Sequence, residues 1–376
     1  MWSRNMRIEH LTVPTVLMAY LAAVVIVAGF AAASAFGQLT IQAIDVTGDS
    51  ISKGFNASSS FPCSNGDQEN YNWITSNTNG SSFCSAGSEG VFSIAERIEC
   101  DLGATIFSAA PNHAQSGATL VSDFVNQSAS VKSYLQGQNV QRMAVVFLGH
   151  NDNCSGTISK VNSSCSSSDL DPQNYCKTRP ESFERELRKG LDQLISIGNT
   201  RVGVVAPVRV SQLCNFGTKS NCQLLGTCQF LWGTVNICGA LTRDCSTGRI
   251  SDTYTTMRSY RDILKRVTAE YEAIPIGGSS PVVMIGGQTV GGGVKALGTS
   301  VVYSDAPWFY RFKSEQISCC DCFHPSALGQ DTLAKMLKDG LSCSKFSPCC
   351  KDTDDPLADG KCSVSDRKRT YYRGVF

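Results

Sequence analysis

A serine directly after a predicted strand is the first residue whose setting is suited to chemistry. Residues 41–47 are rich in β-forming side chains and stop at Gly48, which predicts a buried strand followed by a turn that carries Ser50. Open α/β folds bind ligands at the carboxyl ends of their strands, and a serine hydroxyl raised there can act as a nucleophile. Ser50 is therefore the candidate nucleophile. The alternative for Gly-Asp-Ser alone is a polar turn that caps the following segment.

A serine nucleophile needs a base, and the chain contains four histidines. His10 lies within an N-terminal segment, residues 1–35, that has the pattern of a signal peptide, whereas His113 and His150 follow predicted strands, where an imidazole can line a cleft without acting as a base. Asp321 precedes His324 by three residues. At this spacing the carboxylate can accept a hydrogen bond from one ring nitrogen and leave the other for serine. The sequence predicts His324 as the base and Asp321 as its orienting carboxylate.

Two further segments offer hydrogen-bond donors for the oxyanion that forms during acyl transfer. Residues 112–118 contain Gly117, whose backbone N–H can approach an oxygen closely because glycine has no side chain. Residues 149–152 contain Asn151, whose side-chain amide is a neutral donor that does not need to titrate. Both segments follow predicted strands, so we expect them at the same sheet edge as the candidate nucleophile.

Strands and helices alternate along the chain segments that must position these side chains. After the first strand, apolar β-rich runs at 104–110, 143–148, 201–206 and 301–304 predict further strands. Amphipathic spacing predicts helices at 91–100, 119–135, 182–197, 253–273 and 326–341. Residues 282–297 are Gly-rich and fit neither pattern. This alternation predicts a doubly wound parallel sheet covered on both faces, which is a three-layer α/β/α, flavodoxin-like fold.

Three segments fall outside the alternation. Residues 52–90 are dominated by Ser, Asn and Gly and predict a long loop. Residues 211–250 contain five cysteines and predict a disulfide-pinned insertion, and residues 343–376 form a Cys-rich tail with a basic end. We expect one main domain at residues 38–342 that includes the loop and the insertion.

The motifs together resemble the four sequence blocks of SGNH (GDSL) hydrolases. The matching residues are Gly48-Asp49-Ser50, N-x-A-x-S-G-A at 112–118, G-x-N-D at 149–152 and D-x-x-H at 321–324. The resemblance implies the SGNH hydrolase fold, a Ser50–His324–Asp321 triad, and an oxyanion hole in which Gly117 and Asn151 join the Ser50 N–H. It implies no metal or organic cofactor.

Several residues in or near the motifs narrow the resemblance or depart from it. Cys154 and the run at 321–326 (Asp-Cys-Phe-His-Pro-Ser) resemble the phospholipase B-like branch, which acts on lipid acyl esters. Ile51 stands where the family usually has leucine, and His150 occupies the variable position of G-x-N-D. Asp49 and His150 are candidate substrate contacts, with packing as the alternative for the imidazole.

The N-terminus and the cysteines indicate export. Residues 11–36 contain no charged residue and end in an A-x-A-like sequence, which predicts a signal peptide at residues 1–35. The alternative is a signal anchor at residues 11–36, since this run is long enough to span a bilayer. Eighteen cysteines favour an oxidising compartment. Adjacent Cys319 and Cys320 lack the C-x₂₋₄-C spacing of zinc sites, so we predict disulfides and no metal.

The net charge and the glycosylation sequons limit the partners and modifications that we expect. Lys plus Arg number 33 against 32 Asp plus Glu, which gives no reason to expect nucleic acid as a partner. We expect a small-molecule or lipid ester as substrate, contact with a membrane surface through that substrate or an anchor, and no obligate protein partner. N-glycosylation sequons occur at Asn56, Asn79, Asn126, Asn153 and Asn162. We expect Asn153 to be unmodified, because a glycan there would obstruct the cleft.

Two alternatives to a lipid esterase stay open on the sequence. A carbohydrate acetyl esterase would use exposed aromatic side chains, for which Trp73, Trp232 and Trp308 are candidates, although burial is an equal alternative for them. A catalytically inactive extracellular binding protein could retain the same fold, but the complete set of catalytic residue types argues against it.

Overall fold

In the computed structural model, the described residues are 41–58, 62–76, 84, 89–103, 107, 110–154, 177–222, 226–235, 237–242 and 245–342. They all belong to one compact unit, residues 40–376. The predicted signal peptide or anchor, the tail at 343–376 and most of the predicted strand at 104–110 lie outside the described residues. Among the described helices, none has both the length and the apolar character needed to cross a membrane.

The described part contains six strands: β1 (Ala43–Gly48), β2 (Arg142–Phe147), β3 (Thr200–Val205), β4 (Val283–Ile285), β5 (Gln288–Val290) and β6 (Ser300–Ser304). Four of them form a parallel sheet in the order β1-β2-β3-β6. Every residue of β1, β2 and β3 is buried, as expected for strands covered on both faces. Gly48 pairs with Phe147, and Val205 with Ser304, so the carboxyl ends of the strands meet at one edge.

Eight α-helices surround the sheet in the described part: α1 (Ile94–Leu102), α2 (Leu120–Gln136), α3 (Pro180–Ile195), α4 (Cys228–Val235), α5 (Gly239–Thr242), α6 (Thr247–Ala273), α7 (Ala306–Phe309) and α8 (Ala327–Ser342). Apolar residues of α2, α3 and α6 form one buried cluster with the sheet. Those of α1, α4 and α8 form a second cluster with the same strands. The predicted α/β fold with a parallel sheet between helical layers is therefore confirmed.

Local signals explain where the elements begin and end. The side chain of Ser93 accepts a hydrogen bond from the Glu96 N–H, and the Glu96 carboxylate accepts one from the Ser93 N–H, a capping box that starts α1. Gly103 ends this helix in the left-handed region at a φ of 63°. The Gly-rich residues 282–297, which fit neither periodicity, contain the antiparallel pair β4 and β5.

The predicted loop at residues 52–90 is less solvated than its composition indicates. It contains a short 3-10 helix, Glu69–Tyr71, and its Trp73 and Ile74 are fully buried in the core. The polar composition of the segment favours turns and gives no indication that these two large apolar side chains pack into the core. Trp73 packs edge-on against Phe147, with ring centroids 5.3 Å apart.

Six disulfide bonds cross-link the described residues: Cys63–Cys320, Cys84–Cys100, Cys154–Cys238, Cys214–Cys245, Cys222–Cys319 and Cys228–Cys322. Cys214–Cys245 lies within residues 211–250. The other three cysteines of that segment bond to cysteines beside the predicted motifs. The prediction of disulfides is thus confirmed, and the insertion is tied to the edge of the sheet that carries the site.

Candidate active site

Ser50 lies two residues beyond β1, in a turn that a glycine makes possible. A Cβ on Gly48 would come within 2.4 Å of the Ser52 Oγ, so only glycine allows this approach. The Gly48 N–H donates to the Gln127 Oε1 over 2.8 Å, and the Gln127 Nε2 donates to the Gly48 carbonyl over 3.0 Å. The end of β1 is therefore held by a side chain of α2 at both of its backbone groups.

His324 lies between the serine and an aspartate. Its Nε2 is 2.7 Å from the Ser50 Oγ, and its Nδ1 is 2.7 Å from the Asp321 Oδ2. All three residues are at most 7% exposed. The structure thus brings together the three residues that the sequence predicts as a triad. The hydrogen bond to a carboxylate places the proton on Nδ1 and leaves Nε2 as the basic nitrogen facing serine.

The Asp321 carboxylate accepts hydrogen bonds at both oxygens. Oδ1 accepts from the backbone N–H groups of Phe323 (2.9 Å) and His324 (3.0 Å), and Oδ2 accepts from the Asn56 Nδ2 (2.8 Å) as well as from the imidazole. Burial by itself raises the pKa of Asp321, but the charge and hydrogen bonds of His324 and the backbone donors outweigh it. The pKa is therefore lowered and the carboxylate is ionised.

Two phenyl rings flank the imidazole. The ring centroids of Phe55 and Phe323 lie 4.9 Å and 5.1 Å from that of His324. Phe323 is buried, whereas Phe55 is half-buried. These contacts limit rotation of the imidazole and give the surroundings of the serine an apolar side.

The two predicted oxyanion segments are joined to each other and to the nucleophile turn. The Gln115 N–H donates to the Gly48 carbonyl over 3.1 Å. The Asn151 side-chain amide donates to the Ala118 carbonyl over 2.9 Å. Gly117, between these two connections, is exposed and has a φ of +83°, a left-handed conformation that favours glycine. The structure therefore holds both segments at the sheet edge that carries Ser50.

Asp152 strengthens this junction. Its carboxylate accepts from the backbone N–H groups of Leu120 (2.7 Å) and Val121 (3.3 Å) at the start of α2. Complete burial raises the pKa of Asp152 to about 6, an effect that the hydrogen bonds from Leu120 and Val121 oppose and the nearby Asp49 reinforces.

Asp49 and His150 form a buried hydrogen-bonded pair. The His150 Nδ1 lies 2.7 Å from the Asp49 Oδ2, and the His150 Nε2 accepts from the Val208 N–H over 3.0 Å. Both side chains are at most 2% exposed. A direct contact with substrate therefore stays a prediction for these two residues, and the buried hydrogen bonds favour the packing alternative. The buried pair connects the nucleophile turn to the Asn151 segment.

The other predicted histidine is also paired with a carboxylate. The His113 Nδ1 lies 2.7 Å from the Asp45 Oδ2 on β1. This hydrogen bond raises the pKa of His113, although partial burial opposes the shift. Each of the three histidines in the described residues therefore has an aspartate partner, but only the His324 Nε2 faces a serine. His10 lies outside the described residues.

Three disulfides hold the segment that contains Asp321 and His324. Cys319, Cys320 and Cys322 bond to Cys222, Cys63 and Cys228, respectively. The sulfurs of Cys63, Cys222 and Cys320 lie within 4.8 Å of one another, which by distance alone resembles a metal site. Because each of them belongs to a disulfide, none is a thiolate that could bind zinc.

Two residues of this site were not predicted from the sequence. Asn56 contacts the Asp321 carboxylate, but its position in a glycosylation sequon drew attention to a different role. Gln127 binds Gly48 from α2, and a single glutamine in an amphipathic helix gives no sequence signal of this contact. Both contacts join segments far apart in the chain, so no local pattern predicts them.

Most of the chain matches the model of a known protein family. The family model described as GDSL-like Lipase/Acylhydrolase matches residues 46–337, a range that includes Ser50, Gly117, Asn151, Asp321 and His324. A search of curated proteins finds no match. The family match covers more than half of the chain, and the fold is that of the family. The chain belongs to the GDSL-like lipase/acylhydrolase family and is a carboxylic ester hydrolase.

Proposed function

We propose that the chain is a secreted serine esterase that cleaves acyl esters of lipids or phospholipids. The observation that carries this proposal is the position of the His324 imidazole, which lies 2.7 Å from both the Ser50 Oγ and the Asp321 Oδ2. A hydroxyl, an imidazole and an ionised carboxylate connected in this order form the arrangement that activates serine for acyl transfer.

In the proposed reaction, the His324 Nε2 takes the proton from the Ser50 Oγ as this oxygen attacks the ester carbonyl. The negatively charged oxygen of the tetrahedral intermediate accepts hydrogen bonds from the N–H groups of Ser50 and Gly117 and from the Asn151 amide. Collapse of the intermediate breaks the ester bond, and the imidazolium gives its proton to the departing alcohol. Water then attacks the acyl-enzyme with His324 as base, which releases the acid and regenerates Ser50.

The choice of a lipid ester draws support from residues beside the imidazole. Phe55 is half-buried against His324 and gives the reaction centre an apolar neighbour. Cys154 and residues 321–326 carry the resemblance to the phospholipase B-like branch. By contrast, Trp73, Trp232 and Trp308 are at most 1% exposed, so they offer no platform for stacking a sugar ring. The carbohydrate esterase alternative therefore loses the aromatic side chains that motivated it.

The proposed location outside the cytosol is supported by the disulfides. Six disulfides in the described residues fit an oxidising compartment, since cytosolic thiols are kept reduced. The apolar run at residues 11–36, after Arg4 and Arg7, supports entry into the secretory pathway, with a membrane anchor as the alternative.

An acyl-chain series tests this function. The full chain, produced through an oxidising secretory pathway, is assayed on p-nitrophenyl acetate, butyrate and palmitate and on phosphatidylcholine vesicles, with Ser50→Ala as the control. We expect hydrolysis that requires Ser50 and that increases with acyl-chain length. A preference for acetate would support the carbohydrate acetyl esterase instead. A folded protein with no more activity than Ser50→Ala on any of these esters would contradict the proposal and favour a binding protein.

A further inference from the structure

Asn56 contacts the candidate triad from outside the four sequence motifs. Its Nδ2 donates to the Asp321 Oδ2 over 2.8 Å, and this same oxygen receives the hydrogen bond of the His324 Nδ1 over 2.7 Å. The side chain is 2% exposed, so it does not contact substrate. We infer that Asn56 is a positioning residue that orients the Asp321 carboxylate toward His324, an inference that rests on the proposed triad.

The backbone around Asn56 is fixed by contacts on two sides. Its N–H donates to the Gly66 carbonyl over 3.0 Å, and its carbonyl accepts from the Ser318 Oγ over 2.6 Å. The next carbonyl, that of Ala57, accepts from the Ala327 N–H over 2.7 Å. Residues 56 and 57 thus connect the nucleophile turn with the segment that carries Asp321.

The conformation and the chemistry of this position both favour asparagine. The φ of Asn56 is +52°, in the left-handed region that asparagine adopts more readily than most residues with a side chain. Its Oδ1 is buried and accepts no hydrogen bond from the described residues. The side chain is therefore held by its donor end alone, and that donor end serves the carboxylate.

This donor differs from the others that Asp321 receives. The backbone N–H groups of Phe323 and His324 bind Oδ1 and come from the same turn as the carboxylate, so they move with it. Asn56 comes from the other side of the site, six residues after Ser50, and binds Oδ2. It therefore fixes the carboxylate relative to the nucleophile and not only relative to its own turn.

The position of Asn56 also bears on its sequon, Asn56-Ala57-Ser58. A glycan on Nδ2 would replace one of its N–H bonds and would require space beside a buried carboxylate. A protein that carried this modification would lose the contact. His324 and Lys219 both interact by charge with Asp321, and the Lys219 amine donates to the carbonyls of Ser314 and Ile317. Neither changes in the variants below.

Two substitutions test the inference in the full chain. Asn56→Asp keeps the size and the tolerance for a left-handed backbone but turns a donor into a carboxylate that faces Asp321. An ionised carboxylate at position 56 adds a second negative charge beside Asp321 and close to His324, which favours protonated His324. We expect the acidic limb of the kcat/KM profile to move to higher pH by about one unit. Asn56→Ala should lower kcat about 10-fold or more, with KM unchanged.

Two control variants and the Ser50→Ala variant separate the outcomes. Ser58→Ala removes the sequon and keeps Asn56, and Asn126→Asp adds the same charge at an exposed asparagine of α2. We expect both controls to match the unmodified protein in kcat and pH profile. If wild type exceeds Ser50→Ala but Asn56→Asp leaves the pH profile in place, or Asn56→Ala leaves kcat unchanged, the inference on Asn56 is overturned alone. If wild type and Ser50→Ala are equally inactive, the proposed function itself fails.

Discussion

Cys228 and Cys322 form a disulfide bond that attaches the residue after Asp321 to helix α4 of the Cys-rich insertion. On the other side of the aspartate, Cys320 is bonded to Cys63 in the Ser-rich loop. The Asp321 backbone is thus cross-linked on both sides to the two segments that the motifs of the family leave unexplained. Through these disulfides the two segments restrict movement of the Asp321 backbone in the candidate triad.

Loss of the Cys228–Cys322 bond should therefore lower kcat strongly and lower the free energy of unfolding only moderately. Cys222–Cys319 already closes almost the same stretch of chain, so the extra ring spans only about ten residues and contributes about 2–3 kcal/mol to the free energy of unfolding. We expect the Cys228→Ala/Cys322→Ala double variant to lose that stability in urea denaturation and to lose most of its kcat because Asp321 is less well oriented.

The matched control for this variant removes a disulfide that lies away from the triad. Cys84–Cys100 links residue 84 to α1 and closes a loop of 16 residues, which corresponds to about 3 kcal/mol. The Cys84→Ala/Cys100→Ala variant should be destabilised to a similar extent while its kcat stays near that of wild type. Equal losses of kcat in the two double variants would contradict a specific role for Cys228–Cys322.

Asp152 predicts a pH dependence of stability. Its pKa is about 6 in the folded protein against an ordinary value of 3.8, because burial disfavours the ionised carboxylate. A raised pKa means that the stabilisation is fully present below about pH 4 and is lost as the pH rises through about 6. This shift of about two units corresponds to roughly 3 kcal/mol.

Urea denaturation of wild type and Asp152→Asn measures this effect. The free energy of unfolding of wild type, relative to the variant, should fall by up to about 3 kcal/mol between pH 4 and pH 7. Asn cannot ionise, so the variant lacks the titration. If the difference between the two proteins is the same at both pH values, Asp152 is ionised throughout and the account of its burial is wrong.

The buried pair of Asp49 and His150 should affect turnover without affecting substrate affinity. His150→Phe removes the imidazole that contacts the Asp49 Oδ2 and the Val208 N–H. We expect kcat to fall about 10-fold with KM unchanged. Asp49→Asn should show a similar loss, and the double variant little more, because the two residues act as one unit. A raised KM at unchanged kcat would instead identify His150 as a substrate contact.

Burial separates the sequons. Asn126 is exposed on α2, whereas Asn56 and Asn153 are at most 2% exposed. When the protein is produced in a eukaryotic secretory host, peptide mass spectrometry should find a glycan on Asn126 and none on Asn56 or Asn153. A glycan at either buried position in active protein would contradict the packing described above. Asn79 and Asn162 lie outside the described residues.

The strands and the candidate triad could be predicted from the sequence because their signals are local. The runs at 143–148 and 201–206 are predominantly apolar, and each forms a buried strand within one residue of its predicted start. Ser50, His324 and Asp321 each stand in a short motif next to a predicted element, and the parallel sheet brings those motifs to one edge. Topology therefore brings two local motifs together into one site.

The remainder of the site depends on contacts that no local pattern encodes. Eighteen cysteines allow a very large number of pairings, so the bonds from Cys320 and Cys322 to distant segments could not be predicted. Asn56 lies 265 residues before Asp321, and its sequon suggested another role. The packing of His150 could not be predicted because its two hydrogen-bond partners, Asp49 in the nucleophile turn and Val208 after β3, come together only in the folded protein.

Covalent labelling with a fluorophosphonate tests the central claim, that Ser50 is the nucleophile activated by His324. Such a reagent phosphonylates an activated serine, and digestion followed by mass spectrometry locates the adduct. The account predicts one phosphonyl group on the peptide that contains Ser50, no label in Ser50→Ala, and strongly slowed labelling in His324→Gln. Label on a different serine, or no label on protein that hydrolyses esters, would contradict it.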